Sequence, residues 1–251
     1  LYQMNECAVI TDLSQYQPEM YNVLMVKDTH NHPGYVKLEY TIPTMDAALS
    51  RETLLPNYPG LRFDDLVATD SLNRFVLPNT IINKYGTVTG PALHVHSGFE
   101  EFSTDKVYAL RCSQWPKDEY EWFQRRRIYG WPTHIQIENA MEYGCFVTPV
   151  GHMNSSERHL EWRLSFSIAE KCLTRSFEDT TMKVYILLKM IKKTYIEPFV
   201  DDAFSSYHCK VCLLWMREKT PRELWHNGNL LYCLILCIRQ LYEWVTTGFC
   251  P

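Results

Sequence analysis

The sequence lacks several features, and each absence narrows the class of protein. It has no excess of positive charge, because its net charge is −4, whereas proteins that bind nucleic acid usually show a strong basic excess. Its longest apolar run, residues 230–238, is far shorter than the about 20 residues that span a bilayer, and it predicts a core helix. It also has no internal repeat and no low-complexity tract. What remains is a globular chain of 251 residues, which is long enough to bury a core.

The cysteines lack the regular spacing of a disulfide framework. There are nine of them, an odd number, and several lie in apolar helical contexts, among them Cys233 and Cys237. Small secreted proteins that depend on disulfides show even counts at regular spacings. The pattern therefore favours reduced thiols, and we expect an intracellular, cytoplasmic protein.

Two cysteine pairs leave a zinc site open as an alternative. Cys209 and Cys212 are followed by Cys233 and Cys237, a set that could supply four thiolate ligands. Both pairs lie inside apolar helical runs, whereas structural zinc sites normally lie on turns that contain glycine. We therefore expect no zinc, and a zinc-stabilised interaction module stays an alternative that depends on these four residues alone.

The two ends of the sequence suggest a fragment. The first residue is Leu1 rather than methionine, and Pro251 follows without a closing element. The lack of a signal peptide therefore carries no information.

Strand-like patterns are confined to the first part of the chain. Alternation of apolar and polar residues predicts strands at 7–10, 21–27, 35–40, 104–111, 145–149 and 162–167. Those at 21–27 and 35–40 are expected to form an antiparallel pair. The stretch 43–91 is rich in Pro, Gly, Asn and Asp, and there we expect a long excursion with short helices at 45–51 and 79–85.

Helical patterns dominate after about residue 170. Pro116 opens a predicted helix that the arginines at 125–127 close, and Thr133 caps another that Gly144 ends. Further helices are predicted at 168–176, 180–195, 204–218 and 227–245, with breaks at Pro198, Pro221 and Gly228. The order predicts an α+β protein: a mixed sheet with flanking helices over 1–170, followed by an all-helical domain over 171–251.

Residues 162–171 carry a polar strand face that leads directly into a helix. Apolar residues alternate there with Arg163, Ser165 and Ser167. A planar guanidinium with five donors and two neighbouring hydroxyls suits a phosphate group or the edge of a nucleobase. The exposed face of a half-buried sheet explains the same pattern.

Asp105 lies at the start of a predicted strand, away from any helix N-terminus. Phosphoryl transfer with magnesium needs two or three carboxylates at one site. A single aspartate is not such a site, and by itself it fits a solvated strand end.

Residues 205–210 open a predicted helix that could bind an anion. Ser205 or Ser206 can cap it, which leaves backbone N–H groups and a positive dipole end. Tyr207 could stack on a base, and Lys183 on the preceding helix is a second candidate phosphate ligand. An ordinary capped helix with a core tyrosine and a solvated lysine fits the same residues.

Taken together, these stretches resemble the cyclic GMP–AMP synthase-like proteins of the Mab-twenty-one family. The resemblance rests on two specific motifs, Trp162-Arg-Leu-Ser-Phe-Ser-Ile-Ala-Glu-Lys171 and Phe204-Ser-Ser-Tyr-His-Cys-Lys210, and on Trp225 ahead of a long final helix. Three shorter motifs resemble the invertebrate branch: Gly130-Trp131-Pro132, Pro149-Val-Gly151 and His32-Pro-Gly-Tyr-Val-Lys37.

The resemblance implies a nucleotidyltransferase core followed by a helical domain, with ATP and GTP or other nucleoside triphosphates bound between them. It implies Mg²⁺, or Mn²⁺, held by an early Gly-Ser and Asp/Glu-x-Asp pair and by a later aspartate that Asp105 matches. The other matched residues are an acceptor contact at Arg163 with Ser165 and Ser167 beside it, donor-phosphate contacts at Lys183 and Ser206, and a base-stacking Tyr207.

The implied activity is synthesis of a cyclic dinucleotide or short oligonucleotide in innate immune signalling. Residues 1–27 contain no Gly-Ser followed by Asp-x-Asp, and without those acids two magnesium ions cannot be held. We therefore expect this polypeptide alone to be inactive. The alternative is a catalytically inactive relative that binds nucleotide or protein in development or signalling.

The activator is the least defined partner. The zinc-bearing insertion of the vertebrate DNA sensor is absent, because the stretch 172–181 leaves room only for a short loop between the two predicted helices, so DNA activation through it is not expected. The arginines at 125–127 are candidates for binding RNA or another polyanion, or they form a solvated helix end. The sequence makes no prediction of oligomeric state.

Overall fold

The computed structural model describes residues 2–3, 7–28, 31–41, 66–81, 88–89, 92–96, 103–200 and 204–248, of which 2–3, 88–89, 92–96 and 103–106 are described in their backbone only. The chain divides into two compact units. The sheet unit comprises Leu1–Tyr120 and Met141–Ala169, and the helical unit comprises Glu121–Ala140 and Glu170–Pro251. The predicted domain bounds, 1–170 and 171–251, stay a prediction.

The sheet unit is built on one mixed sheet. Its strands are β1 (Tyr2–Gln3), β2 (Cys7–Ile10), β3 (Tyr21–Val26), β4 (Tyr35–Tyr40), β5 (Ala68–Thr69), β6 (Phe75–Val76), β7 (Val88–Thr89), β8 (Ala92–His96), β9 (Ser103–Cys112), β10 (Cys145–Thr148) and β11 (Trp162–Ser165). The main path runs β10-β11-β4-β3-β2-β9-β8-β7, and β10 also bonds to β9. The predicted antiparallel pairing of β3 with β4 is confirmed.

The two faces of this sheet differ in chemistry. One face forms the apolar core, where Leu110, Val147 and Leu164 lie side by side on β9, β10 and β11. Because successive side chains in a strand point to opposite faces, the neighbouring positions form the other face. Burying one such aliphatic side chain stabilises the fold by about 1.5–3 kcal/mol, so the core fixes which residues face away from it.

The strand predicted at 162–167 is confirmed over Trp162–Ser165, and its alternation is as expected. The Trp162 ring is buried, and its indole N–H donates to the carbonyl of Leu77 at 2.8 Å. The following helix begins at Ser167, one residue earlier than predicted. Ser167 therefore belongs to the helix, and the prediction that it continues the strand face of Arg163 is wrong.

The helices are α1 (Glu121–Gln124), α2 (His134–Tyr143), α3 (Ser167–Arg175), α4 (Asp179–Ile191), α5 (Glu197–Val200), α6 (Ser206–Lys219) and α7 (Leu230–Thr247). In the helical unit, α4, α6 and α7 pack around a core that includes Leu188, Leu213 and Trp244. Within the described ranges no helix is both long and apolar enough to cross a membrane.

The helix predicted over 116–127 is interrupted. The chain forms a 3-10 turn at Lys117–Glu119 and then the short α1. The Glu119 carbonyl accepts a hydrogen bond from the Trp115 indole at 3.3 Å. Beyond α1 the Arg127 guanidinium donates to the carbonyl of Arg125 at 2.8 Å, which satisfies a carbonyl that the ended helix leaves open.

Pro198 does not break the chain as predicted. A π turn, Lys192–Ile196, follows α4, and α5 then includes Pro198 in its first turn. The π turn and α5 continue α4 without interruption, so the break predicted at Pro198 is wrong. Of the helix predicted at 79–85, residues 79–81 form a 3-10 turn and the rest lies outside the described residues. The helix predicted at 45–51 also lies outside them.

The helix capped by Thr133 and ended by Gly144 is confirmed. The Thr133 amide donates to Gln136 Oε1 at 2.8 Å, and the Gln136 amide donates to Thr133 Oγ1 at 3.4 Å, which is a reciprocal capping arrangement. Gly144 has φ +65°, and a Cβ there would lie 2.2 Å from the carbonyl oxygen of Cys112. The glycine is thus required both by its dihedral angle and by the close approach of β9.

Gly144 offers a test of this close approach. Gly144→Ala should destabilise the sheet unit by about 3 kcal/mol or more, because a strained dihedral and a backbone overlap add together. Gly34→Ala is the matched control, since Gly34 has φ +78° with nothing within 4 Å of its added Cβ, and it should cost about 1 kcal/mol. Urea denaturation of both variants measures the difference. Equal losses would contradict the packing argument.

Candidate functional site

Arg163 is an exposed residue of the predicted strand face. It lies on β11 between Tyr35 of β4 and Thr148 of β10, which flank it in register. Its side chain is exposed, and among the described residues its guanidinium has neither a carboxylate partner nor a hydrogen bond. Ser165 follows on the same face. The arrangement leaves a planar cation ready to bind an anion.

The hydroxyl of Ser167 is buried and unsatisfied. Ser167 is the first residue of α3, and its Oγ atom has no hydrogen-bond partner within the described part of the chain. An unsatisfied buried polar group costs about 1–3 kcal/mol, so such groups call for an explanation. At Ser167 no described group offsets this cost.

Asp105 is placed by its backbone alone. It lies on β9 opposite His94 of β8, and its side chain is outside the described part. Position 105 is an even number of residues from Arg111 on the same strand, so strand alternation assigns both positions to one face. Arg111 pairs with Phe146 of β10, which in turn pairs with Ser165. The register therefore places position 105 on the same face of the sheet as Arg163.

Arg111 is a residue that the sequence analysis missed. Its side chain is exposed, and no described residue binds its guanidinium. Its even spacing from Asp105 could have placed it on the same face of the predicted strand. Only the pairing of β9 with β10 and of β10 with β11 shows that Arg111 shares a face with Ser165. We regard it as a second uncompensated cation on this face.

The start of α6 provides a capped helix N-terminus. Ser205 is the capping residue, and its amide donates to His208 Nδ1 at 3.1 Å. Ser206 is the first helical residue and is exposed. Of the two serines considered, Ser205 caps the helix, and Ser206 lies in its exposed first turn.

Tyr207 and Lys183 both have partners already. The Tyr207 hydroxyl donates to Glu170 Oε1 at 3.4 Å, and Lys210 Nζ lies 5.0 Å from the ring centroid. Lys183 forms an ion pair with Asp179, and its Nζ lies 3.2 Å from Asn227 Oδ1. An exposed ion pair of this kind is worth about 0–1 kcal/mol, so a phosphate could replace it.

Three carboxylates in the sheet unit, those of Asp28, Asp70 and Glu157, surround two cations rather than a metal. Lys37 Nζ lies 2.6 Å from Glu157 Oε2 and 3.2 Å from Asp70 Oδ2. Arg74 binds Asp70 and Asp28. No group of three His, Cys, Asp or Glu side chains in the described part has the arrangement of a metal site. These residues do not fit a two-magnesium centre.

The two cations of this cluster stabilise the ionised form of its three carboxylates. Burial alone would raise the pKa of Asp70, but hydrogen bonds from Arg74 and Lys37 more than offset it and keep that pKa well below its usual range. The pKa values of Asp28 and Glu157 are lowered in the same way against burial. The cluster is therefore fully ionised at neutral pH, with two cations facing three anions.

The cysteines of the zinc alternative lie in the core of the helical unit. Cys212 Sγ donates to the Cys237 carbonyl at 3.3 Å, and Cys233 Sγ donates to the Leu224 carbonyl at 3.5 Å. Burial raises the pKa of the Cys209 and Cys233 thiols. In this arrangement the four side chains act as small apolar core residues.

Two family models match the chain, one over most of its first two thirds and one over its last part. The model described as the Mab-21 protein nucleotidyltransferase domain matches residues 17–175. The chain belongs to the Mab-21 family. A second model, the Mab-21 protein HhH/H2TH-like domain, matches residues 180–251. The predicted α+β fold, a nucleotidyltransferase sheet followed by helices, is confirmed by these matches and by the structure.

All of the candidate residues lie within the two matches to the Mab-21 family. The nucleotidyltransferase match contains Asp105, Arg163, Ser165 and Ser167, and the second match contains Lys183, Ser206 and Tyr207. A nucleotidyltransferase domain points to nucleotide substrates. The role of each of these residues stays a prediction.

The charge cluster predicts a specific pH dependence. A carboxylate whose folded pKa is depressed adds stability above its unfolded pKa of about 3.9, and this stability is lost as the pH falls toward the folded value. Asp70→Asn should therefore destabilise the sheet unit by about 3 kcal/mol at pH 7, and its difference from wild type should shrink below about pH 4. Urea denaturation at pH 7 and pH 3 measures both.

The control for this prediction is Asp118→Asn. Asp118 is exposed and lies 3.5 Å from Lys27, so its loss should change stability by less than about 1 kcal/mol at either pH. A loss for Asp70→Asn as small as that of the control would show that the cluster does not stabilise the unit.

Proposed function

We propose that this chain forms the nucleotide-binding part of a cyclic GMP–AMP synthase-like nucleotidyltransferase that takes ATP and GTP or other nucleoside triphosphates. The observation that carries the proposal is the exposed, uncompensated guanidinium of Arg163 on β11. Guanidinium groups bind phosphate and planar polar edges through two parallel hydrogen bonds. Together with the hydroxyl of Ser165 on the same strand face, it would hold the acceptor nucleotide, and Ser167 at the start of α3 would add a further contact.

The donor nucleotide would be held by residues of α4 and α6. The first turn of α6 offers backbone N–H groups and a positive dipole end, and Ser206 is an exposed residue of that turn. Tyr207 is half-exposed and offers a ring for stacking on a base. Lys183 would exchange Asp179 for a phosphate oxygen, at a cost that a charged hydrogen bond readily offsets.

Catalysis needs more than these contacts. Two-metal phosphoryl transfer requires several converging carboxylates, and the described residues supply no such group. In our proposal Asp105 is one of the acids, and an intact parent that supplies the others would join nucleoside triphosphates into a cyclic dinucleotide or short oligonucleotide for innate immune signalling. We derive no catalytic step through Mg²⁺ or Mn²⁺ for this chain alone.

A second candidate function is a nucleotide- or protein-binding module without catalysis, acting in development or signalling. The observation that favours it is the cluster around Lys37, where three carboxylates of the sheet unit are tied to cations and so are not free to bind metal. The same acceptor residues would then bind nucleotide without transferring it.

The basic triplet gives limited support to an RNA or polyanion activator. Arg125 lies 3.5 Å from Glu218 and 5.3 Å from the centroid of the Trp215 ring, and Arg127 is directed at backbone carbonyls. Only Arg126 of the three is exposed and lacks a partner within the described ranges. An activator would therefore need cations beyond these three.

The acceptor assignment is tested with Arg163→Gln. Because a charged hydrogen bond contributes about 1.5–3 kcal/mol, the variant should bind ATP or GTP about tenfold more weakly or worse in calorimetry. Arg158→Gln removes an exposed arginine from a loop of the same unit, and it should bind as the wild type does. Unchanged affinity in Arg163→Gln would overturn the acceptor role.

Enzyme and binding module are distinguished by product formation. The intact parent is incubated with ATP, GTP and Mg²⁺, and phosphodiester products are sought by chromatography and mass spectrometry. The enzyme hypothesis expects a product that disappears in Asp105→Asn while protein stability is retained. Nucleotide binding without any product would support the module instead.

A further inference from the structure

The helical unit contains a cavity that the nucleotide assignments do not use. It lies between the end of α3, the start of α4 and the middle of α6, with a volume of about 430 Å³. Ligand pockets for small molecules commonly have volumes of about 300–1,000 Å³. The cavity is thus large enough for a ligand with two fused rings.

Its walls are mainly apolar. Leu213 is fully buried at its base and belongs to the core of the unit, and Phe177 packs against that core. Met182 lies at the rim, with 38% of its surface exposed. Contact with such side chains favours an apolar body, because about 25 cal/mol is gained per Å² of apolar surface removed from water.

The polar groups of the cavity carry one uncompensated charge. Arg175, the last residue of α3, is exposed, and its guanidinium has no partner among the residues described. Lys210 also lines the cavity, but its charge is neutralised by an ion pair with Glu170. The Tyr185 hydroxyl has no hydrogen-bond partner in the described part either, so it adds a neutral donor.

From these observations we propose that the cavity binds a small organic monoanion with an apolar body, of the aromatic or aliphatic carboxylate class. Arg175 would form the charged contact, and Phe177, Met182 and Leu213 would surround the apolar part. A single negative charge matches Arg175, the one cation without a partner among the described residues that line the cavity, whereas a polyanion would bring excess charge close to Glu170. The site shares no residue with the proposed nucleotide contacts, and it goes beyond the proposed function.

Two matched probes test the charge requirement. The first is 2-naphthoate, a two-ring carboxylate, and the second is 2-naphthamide, which has the same shape without the charge. Titration calorimetry or ligand-observed NMR with the whole chain should show saturable naphthoate binding, at least about tenfold tighter than naphthamide, since a charged hydrogen bond contributes about 1.5–3 kcal/mol. Equal affinities, or no saturable binding of naphthoate, would overturn the proposal.

Variants locate the binding. Arg175→Gln should weaken naphthoate about tenfold and leave naphthamide unchanged. Arg126→Gln removes another exposed arginine of the same unit and should alter neither. Met182→Glu adds a negative charge at the rim and should abolish naphthoate binding while circular dichroism confirms folding. A loss in Arg126→Gln as large as in Arg175→Gln would reject the location.

A competition experiment with nucleotide tests whether this cavity is distinct from the proposed nucleotide contacts. Saturating ATP should leave naphthoate affinity unchanged, whether or not ATP itself binds. Displacement of naphthoate by ATP would mean that the probe occupies the nucleotide contacts, and the inference would fail while the proposed function stood.

Discussion

The sheet unit depends on the register that ties β9 to β10 and β10 to β11. This register aligns Leu110, Val147 and Leu164 on the core face, and by alternation it turns Arg111 and Arg163 to the other. A slip of one residue would exchange the two faces, burying the arginines and exposing the core. The cost of burying unpaired charge is far larger than any gain from a single contact, so the apolar core and the accessible cations are fixed by one constraint.

Four cations of the described residues show the contrast on which the functional proposals depend. Lys37 and Arg74 are enclosed by carboxylates and serve stability. Arg163 and Arg175 meet no carboxylate within the described residues, and each stands beside hydroxyl groups or apolar walls. Because their charges are uncompensated there, these are the two positions to which our proposals assign ligand binding.

Local features were predictable from the sequence, and distant ones were not. The helix from Thr133 to Gly144 was predicted because its cap and its stop lie within a few residues of its ends. The ion pair of Lys37 with Glu157 joins residues 120 positions apart, and no local sequence pattern predicts it. The orphan hydroxyl of Ser167 likewise depends on packing around α3. The candidate residues could be named from sequence motifs. Which of their charges and hydroxyl groups have partners among neighbouring residues could be learned only from the fold.

The π turn at Lys192–Ile196 has a geometric consequence for the segment after it. The Glu197 amide bonds to the carbonyl five residues earlier, so this turn holds about one residue more than an α-helical turn. One extra residue rotates everything downstream by about 100° around the axis. The direction in which α5 presents Phe199 therefore differs by about that rotation from the direction that a regular α-helix would give it.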